Sequence, residues 1–399
     1  MLPGTSRVVI LFFPMKFQER HYWKWRTSLA IFAMLSPLFG FGQSPTPAEA
    51  VALEQQGRID EAANAWQVIT EKNPRDASAL ASLGLVLSRQ QKYEQAALAY
   101  QKAIALNPHL PGVQLDLGLA EFKQGHFQAA IPPLQAALKS NPKNMQARTL
   151  LGLSYYGAQS FQEAAIYIGE AEKADPDNAE LQQVLAQSCL AAKKYSCALD
   201  EFHKILQRDP DSSAAHVLAG EALDGMNRTP EAIVEFEAAI KASPREPDLH
   251  FGLGYLHWKL HQYDDAKNDF DAELSVDPNN AQAFAYLGDI EMKQNNFDQA
   301  LVALKKAVQL RNDLRVAYMD MGTIYSDQKN YPEAVEALTK AEELEPSQPD
   351  AHFRLGRVYQ AMGNAPAAQA EYAKVRKLHQ SADEEVRSKM PGAVPRLQP

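Results

Sequence analysis

Residues 77–110 read ASALASLGLVLSRQQKYEQAALAYQKAIALNPHL. Leu80, Leu83, Gly84 and Leu87 recur at helical spacing and mark one stripe. The polar run from Arg89 to Lys92 closes that helix. Tyr93, Ala96, Tyr100, Ala103 and Ile104 then form a second stripe. Asn107-Pro108 ends the second helix, because proline has no N–H to continue the ladder and its ring clashes with the preceding turn. The stretch predicts two helices joined by a short turn.

The same 34-residue pattern runs through the chain. Proline falls at 74, 108, 142, 176, 210, 244, 278 and 346, with Asn312 in the one gap. Glycine falls at 84, 118, 152, 220, 254, 288, 322 and 356, with Ala186 in its gap. Alanine holds the same place in all ten units, from Ala62 to Ala368, and a large residue follows each alanine by four, from Trp66 to Tyr372. Residues four apart share a helix face. The small residues are expected where the two helices of a pair come closest, with Gly254 against Ala266.

This pattern resembles the tetratricopeptide repeat (TPR), a 34-residue helix–turn–helix unit with the same small/large order. The resemblance covers residues 43–380 as ten units without insertion. It implies an all-α fold: a right-handed α-solenoid superhelix of antiparallel helix pairs, first helices lining the concave side. It also implies a protein or peptide ligand in that groove, touching first-helix residues not used for packing. Here those are Leu115, Leu119, Phe122, Leu153 and Tyr156, then Phe251, Tyr255, Trp258, Met292, Met319 and Phe353, with polar Gln183, Gln187, Glu221 and Asp224 between. Trp258 is the expected anchor, since Trp and Tyr are over-represented among binding hot spots. Chaperone-binding members clamp a terminal carboxylate with lysines. Ala81, Leu115, Thr149, Gln183 and Val217 hold the lysine places here, which argues against such a clamp.

The flanks read differently. Residues 1–42 carry Arg7, Lys16, Arg20, Lys24 and Arg26 against Glu19, and residues 28–39 form a short apolar core. This reads as a signal peptide or N-terminal membrane anchor. Gly40 and Gly42 suit cleavage before Gln43. The apolar run of residues 27–42 is shorter than the roughly 20 residues of a spanning helix. Either reading places the repeats outside the cytoplasm, periplasmic or secreted, with membrane contact only through the amino terminus. At the other end, Ser381 and Glu384 read as a capping box opening a short C-terminal helix over 381–390. Residues 391–399 are expected to be disordered.

The chain has a formal net charge of −9, and residues 1–42 contribute +4, leaving −13 on the remainder. Such a body is unsuited to neutralising phosphates, so no nucleic acid is expected. Cys189 and Cys197 lie on successive helices of one unit. A disulfide is one reading; two small buried apolar residues is the other and the more usual. His250, His257 and His261 gather near one helix, but His250 and His257 hold places where sister units have packing residues, so no metal site is assigned. No cofactor fingerprint or nucleophile motif is present in the sequence. Pro132-Pro133 should bend its helix or delay its start.

The sequence thus points to an exported, non-enzymatic scaffold for protein segments. Two narrower readings remain: a subunit of an envelope secretion or polysaccharide-export assembly, and a non-catalytic partner of a separate enzyme such as a glycosyltransferase.

Overall fold

The computed structural model describes residues 44–388. The leader of residues 1–42, the expected first residue Gln43 and the tail of residues 391–399 lie outside the described residues. The described residues form twenty helices and fall into two compact units divided after Arg208.

The first unit holds α1 (Pro47–Gln55), α2 (Ile59–Lys72), α3 (Ala77–Arg89), α4 (Tyr93–Leu106), α5 (Val113–Lys123), α6 (Phe127–Ser140), α7 (Met145–Gly157), α8 (Phe161–Glu172), α9 (Ala179–Ala191) and α10 (Tyr195–Arg208). The second holds α11 (Ser213–Gly225), α12 (Thr229–Ala242), α13 (Leu249–Lys259), α14 (Tyr263–Val276), α15 (Ala281–Lys293), α16 (Phe297–Leu310), α17 (Arg315–Asp327), α18 (Tyr331–Leu344), α19 (Pro349–Ala361) and α20 (Ala365–Ser388). Within each unit every helix packs on the next, and first helices also touch first helices two along, as α5 touches α7 and α15 touches α17. A first helix therefore has its own second helix, the second helix of the preceding pair and a neighbouring first helix to satisfy.

The repeated small residues sit at the tightest contacts. Ala62, Ala96, Ala130, Ala164, Ala198, Ala232, Ala266, Ala300 and Ala334 have no exposed surface, so nothing larger fits those places. The glycines oppose the large residue that follows each alanine rather than the alanine itself. A Cβ on Gly254 would stand 2.8 Å from the Phe270 ring, which corrects the expected contact with Ala266. The alanine approaches only through its carbonyl, as Ala232 O does at 3.3 Å from a Cβ on Gly220, farther than the Phe236 ring at 2.8 Å.

Helix entry follows the turn chemistry. The N-cap is the residue two after the repeat proline: Asp76, Asn144, Asn178, Ser212 and Asn280 each accept a hydrogen bond from a first-turn amide. Asp277 instead accepts from Asn279 N. Thr46 and Glu49 close a full capping box on α1, which the sequence reading passed over. The turn inside each pair also repeats. Gly57, Gln91, Gly125, Gln159, Lys193, Asn227, His261, Asn295, Lys329 and Gly363 all have positive φ, at the same 34-residue interval.

Three expectations need correction. The late start expected from Pro132 and Pro133 does not occur: helix α6 starts at Phe127 with both prolines inside it. The prolines remove two ladder bonds, but Ile131, Pro133 and Leu134 are buried in the stack, and that packing holds the segment helical. No separate helix begins at Ser381, because α20 runs unbroken to Ser388. The stretch has no glycine or proline to stop it, and the Ser381 hydroxyl donates back to Lys377 O at 2.8 Å instead of capping. Finally, Cys189 and Cys197 form a disulfide, their Cα atoms 5.8 Å apart. The pair it joins, α9 and α10, is the one where Ala186 replaces the repeat glycine.

Candidate binding surfaces

In the first unit, Leu115, Leu119 and Phe122 on α5 are half-buried against a core that includes Ala130, Leu134 and Leu150. Phe122 meets Phe127 edge-on at 5.6 Å. On α7, Leu153 is only 4% exposed and belongs to the core, which removes it from the expected ligand contacts. Tyr156 is half-buried; it packs edge-on to Phe161, and its hydroxyl donates to Gln187 Oε1 on α9 at 2.7 Å. Burial raises the Tyr156 phenol above its ordinary value. What remains available is a shallow apolar strip with one polar bridge to α9. Asp116 on α5 is pushed up to about 6 by burial.

In the second unit the aromatic residues are brought together more tightly than their spacing suggests. Tyr286 of α15 stands between three rings of α13. Its centroid is 5.1 Å from that of Trp258, 5.9 Å from Tyr255 and 5.8 Å from Phe251, all edge-on. The Trp258 indole N–H donates to Asp289 Oδ2 at 2.6 Å. Lys293 donates to the other oxygen of Asp289, and its ammonium lies 5.4 Å from the centre of the Trp258 ring. Trp258 is thus half-buried by the following pair and is not a freestanding anchor. The sequence argument took the packing places of α13 as filled by His250, Leu253, Gly254 and His257. It missed that a solenoid helix packs on a second side as well. Met292 is half-buried, and Met319, 7% exposed, is core. Phe353 on α19 is 49% exposed, with one side of its ring against Tyr372.

The start of α13 is set by a buried carboxylate. Asp248 adopts a left-handed conformation, and Glu273 of α14, with no exposed surface, accepts from Asp248 N at 2.8 Å and Phe251 N at 3.1 Å. A negative charge at a helix N-terminus meets the positive end of the helix dipole. This fixes the ring of Phe251 against Phe270.

The histidines have structural partners. His257 Nδ1 lies 2.6 Å from Asp269 Oδ2; burial, opposed by His257, holds the Asp269 carboxyl above its usual range. His261 is the left-handed turn residue beyond α13 and pairs with the Tyr263 hydroxyl, so it shares no helix face with His257.

The sequence did not reveal a cluster drawn from α18, α19 and α20. Ligand-type atoms of Glu342, His352 and Glu371 lie within 4.8 Å of one another. His352, 3% exposed, pairs with Glu371 at 2.7 Å. Lys374 donates to both carboxylates at 3.0 Å and supplies the cation. The same brace occurs 170 residues earlier, where Lys204 bridges Glu172 and Glu201 and Gln182 stands in the place of His352. The recurrence identifies a structural tie between neighbouring pairs.

Two more carboxylates lie on first helices of the second unit. Glu221 on α11 is half-buried and pushed up to about 7 by burial. Asp320 on α17 is pushed up to about 7 by burial and by the Asp289 charge, against the opposing charges of Lys293 and Arg354.

Sequence models described as tetratricopeptide repeat match residues 48–111, 115–179, 190–250, 251–314 and 350–381, and one described as TPR repeat matches 322–363. Among solved structures, the chain is similar to yeast Tom70, with 16% identity over 85% of this chain and 92% of that one, at a TM-score of 0.40. It is similar to MamA from Desulfovibrio magneticus RS-1, with 22% identity over 43% and 97% and a TM-score of 0.40. It is also similar to YrrB, titled a TPR protein with an unusual peptide-binding site, with 20% identity over 47% and 97% and a TM-score of 0.38. No curated protein matches the chain.

Proposed function

The chain belongs to the tetratricopeptide-repeat family, and on that footing we propose that it is a scaffold without catalysis of its own, binding protein or peptide segments across the first helices of its pairs. The observation that carries the reading is the half-exposed ring cluster of Tyr255, Trp258 and Tyr286, with the exposed Phe353 on α19 as a separate apolar contact. These rings are held rigid by edge contacts and by the Trp258–Asp289 hydrogen bond, so little side-chain entropy remains to be lost when a partner covers them. Met292, half-buried on the same helix as Tyr286, adds an adaptable apolar side chain. In the first unit Leu115, Leu119, Phe122 and Tyr156 offer a second, flatter strip.

The repeats act outside the cytoplasm in this reading. Its supports are the basic and apolar composition of residues 15–42 and the Cys189–Cys197 disulfide, a bond that persists in oxidising compartments. Among the described residues no helix is long and apolar enough to cross a membrane. Amino-terminal sequencing of the exported product should return Gln43; a membrane-bound product retaining Trp25 would favour the anchor.

The binding test uses an array of capped random decapeptides and two variants. Tyr255→Ala removes half-exposed surface, and Trp258→Phe keeps a ring against Tyr286 while deleting the N–H to Asp289. Both should stay folded. Peptide affinity should fall about tenfold or more in Tyr255→Ala, of the order of an average interface aromatic. Unchanged binding by the folded Tyr255→Ala chain would remove the second unit from the proposal.

A further inference from the structure

The first helices of the second unit carry a set of charges in which most positive groups are already used. Lys259 donates to Asp224 at 2.7 Å, Lys293 donates to Asp289, and Arg354 donates to the Thr323 hydroxyl at 2.7 Å. Two half-buried carboxylates are left over. Glu221 has no hydrogen-bond or ionic partner among the described residues. Asp320 Oδ2 is enclosed and accepts no hydrogen bond among the described residues; the charges acting on it are Asp289, Lys293 and Arg354. A half-buried carboxylate without donors is costly, and native structures rarely leave one so unless something else completes it.

The surroundings specify what would complete it. Glu221, Tyr255, Asp289 and Thr323 follow one another by 34 residues and hold the same place on α11, α13, α15 and α17. Tyr286 and Asp320 share the neighbouring place on α15 and α17. The leftover acids therefore flank the rings of Tyr255, Trp258 and Tyr286. An aromatic face carries negative potential and attracts cations, and the protein already uses it so, with the Lys293 ammonium over Trp258. Carboxylates and ring faces together favour positive charge and disfavour negative charge.

We infer that this face recognises a segment of a partner protein bearing lysine or arginine, with Glu221 and Asp320 as its two anchoring carboxylates. Packed helices lie about 8–10 Å apart, which puts α11 roughly 25–30 Å from α17. An extended chain covers that in about eight residues at ~3.3 Å each. The ligand is a strand-like segment with basic side chains near both ends and apolar ones between, over the rings. Such pairing outside bulk water favours the right partner and penalises acidic ones.

This inference rests on the scaffold reading, and one experiment separates the two. The probe is the array of capped random decapeptides, exposed to the full chain at low and at high salt. Bound peptides should be enriched several-fold in lysine and arginine and depleted in aspartate and glutamate, with the preference shrinking at high salt. The isosteric Glu221→Gln and Asp320→Asn chains should keep native circular dichroism and lose the preference. Bound peptides selected for apolar residues alone would overturn the cation assignment and leave the scaffold standing. A preference for acidic peptides, or a basic preference surviving both substitutions, would overturn the assignment too. An array on which nothing binds would overturn both readings.

Discussion

Gly254 offers the sharpest test of how the pairs are held together. A Cβ there would come within 2.8 and 2.9 Å of two Phe270 ring carbons and 3.1 Å of Asp269 Cβ, where ordinary contact begins at 3.4 Å. Phe270 has no exposed surface and cannot swing aside. Overpacking of this kind costs about 1–3 kcal/mol. Alanine returns about 1 kcal/mol by its better helix propensity. Gly254→Ala should therefore cost about 1 kcal/mol net. That modest value agrees with the α9–α10 pair, which carries Ala186 in the same place opposite Phe202. Gly254→Leu adds three more carbons to the filled site and should cost about 3 kcal/mol or more. Urea titration alone is ambiguous, because a solenoid need not unfold in one step. Native-state hydrogen exchange of α13 and α14 amides gives the local value. A Gly254→Ala chain more stable by the full propensity gain would show that the ring is not in the way and refute the reasoning.

Three further outcomes are expected. The raised Glu221 carboxyl binds its proton more tightly folded than unfolded, so its contribution to stability is complete below about pH 4 and disappears as pH rises through about 7; Glu221→Gln should be more stable than the native chain at pH 8 by about 1–3 kcal/mol, and parallel stability–pH curves for the two would count against it. Reducing the Cys189–Cys197 bond, which closes a loop of eight residues, should lower the local stability of α9 and α10 by about 2–3 kcal/mol; unchanged amide protection there under reductant would contradict this. Gln159→Gly relieves a left-handed conformation at an exposed turn and should stabilise the α7–α8 pair by about 0.5–1 kcal/mol, an effect that exchange protection of those helices would reveal or deny.

The fold was legible because every determinant is local. Proline after asparagine or aspartate, the small residue in each helix and the large one a turn later lie within a single 34-residue window, and the window recurs ten times. Turn geometry was only half legible. Gly57, Gly125 and Gly363, with Asn227 and Asn295, announce a left-handed position, whereas Gln91, Lys193 and His261 accept the same strain without announcing it. The histidine trio shows the consequence: His261 counted as a helix neighbour of His257 until the turn was seen to separate them.

The amino-acid sequence by itself determined the number of pairs, their lengths, and which places on each pair are small and which are large, though not that each glycine faces the large residue rather than the alanine. Those follow from helical periodicity and steric size, which need no knowledge of distant residues. Only the tertiary structure decided which first-helix side chains remain available. Leu153 and Met319 disappear into the core, Trp258 is tied to Asp289 and Tyr286, Phe353 stays open, and Glu221 is left without a partner. Exposure on a first helix is fixed by what the following pair brings against it about 30 residues later. The repeat pattern says that such a neighbour exists. The side chain that neighbour happens to carry varies from one unit to the next, and the pattern leaves it unspecified.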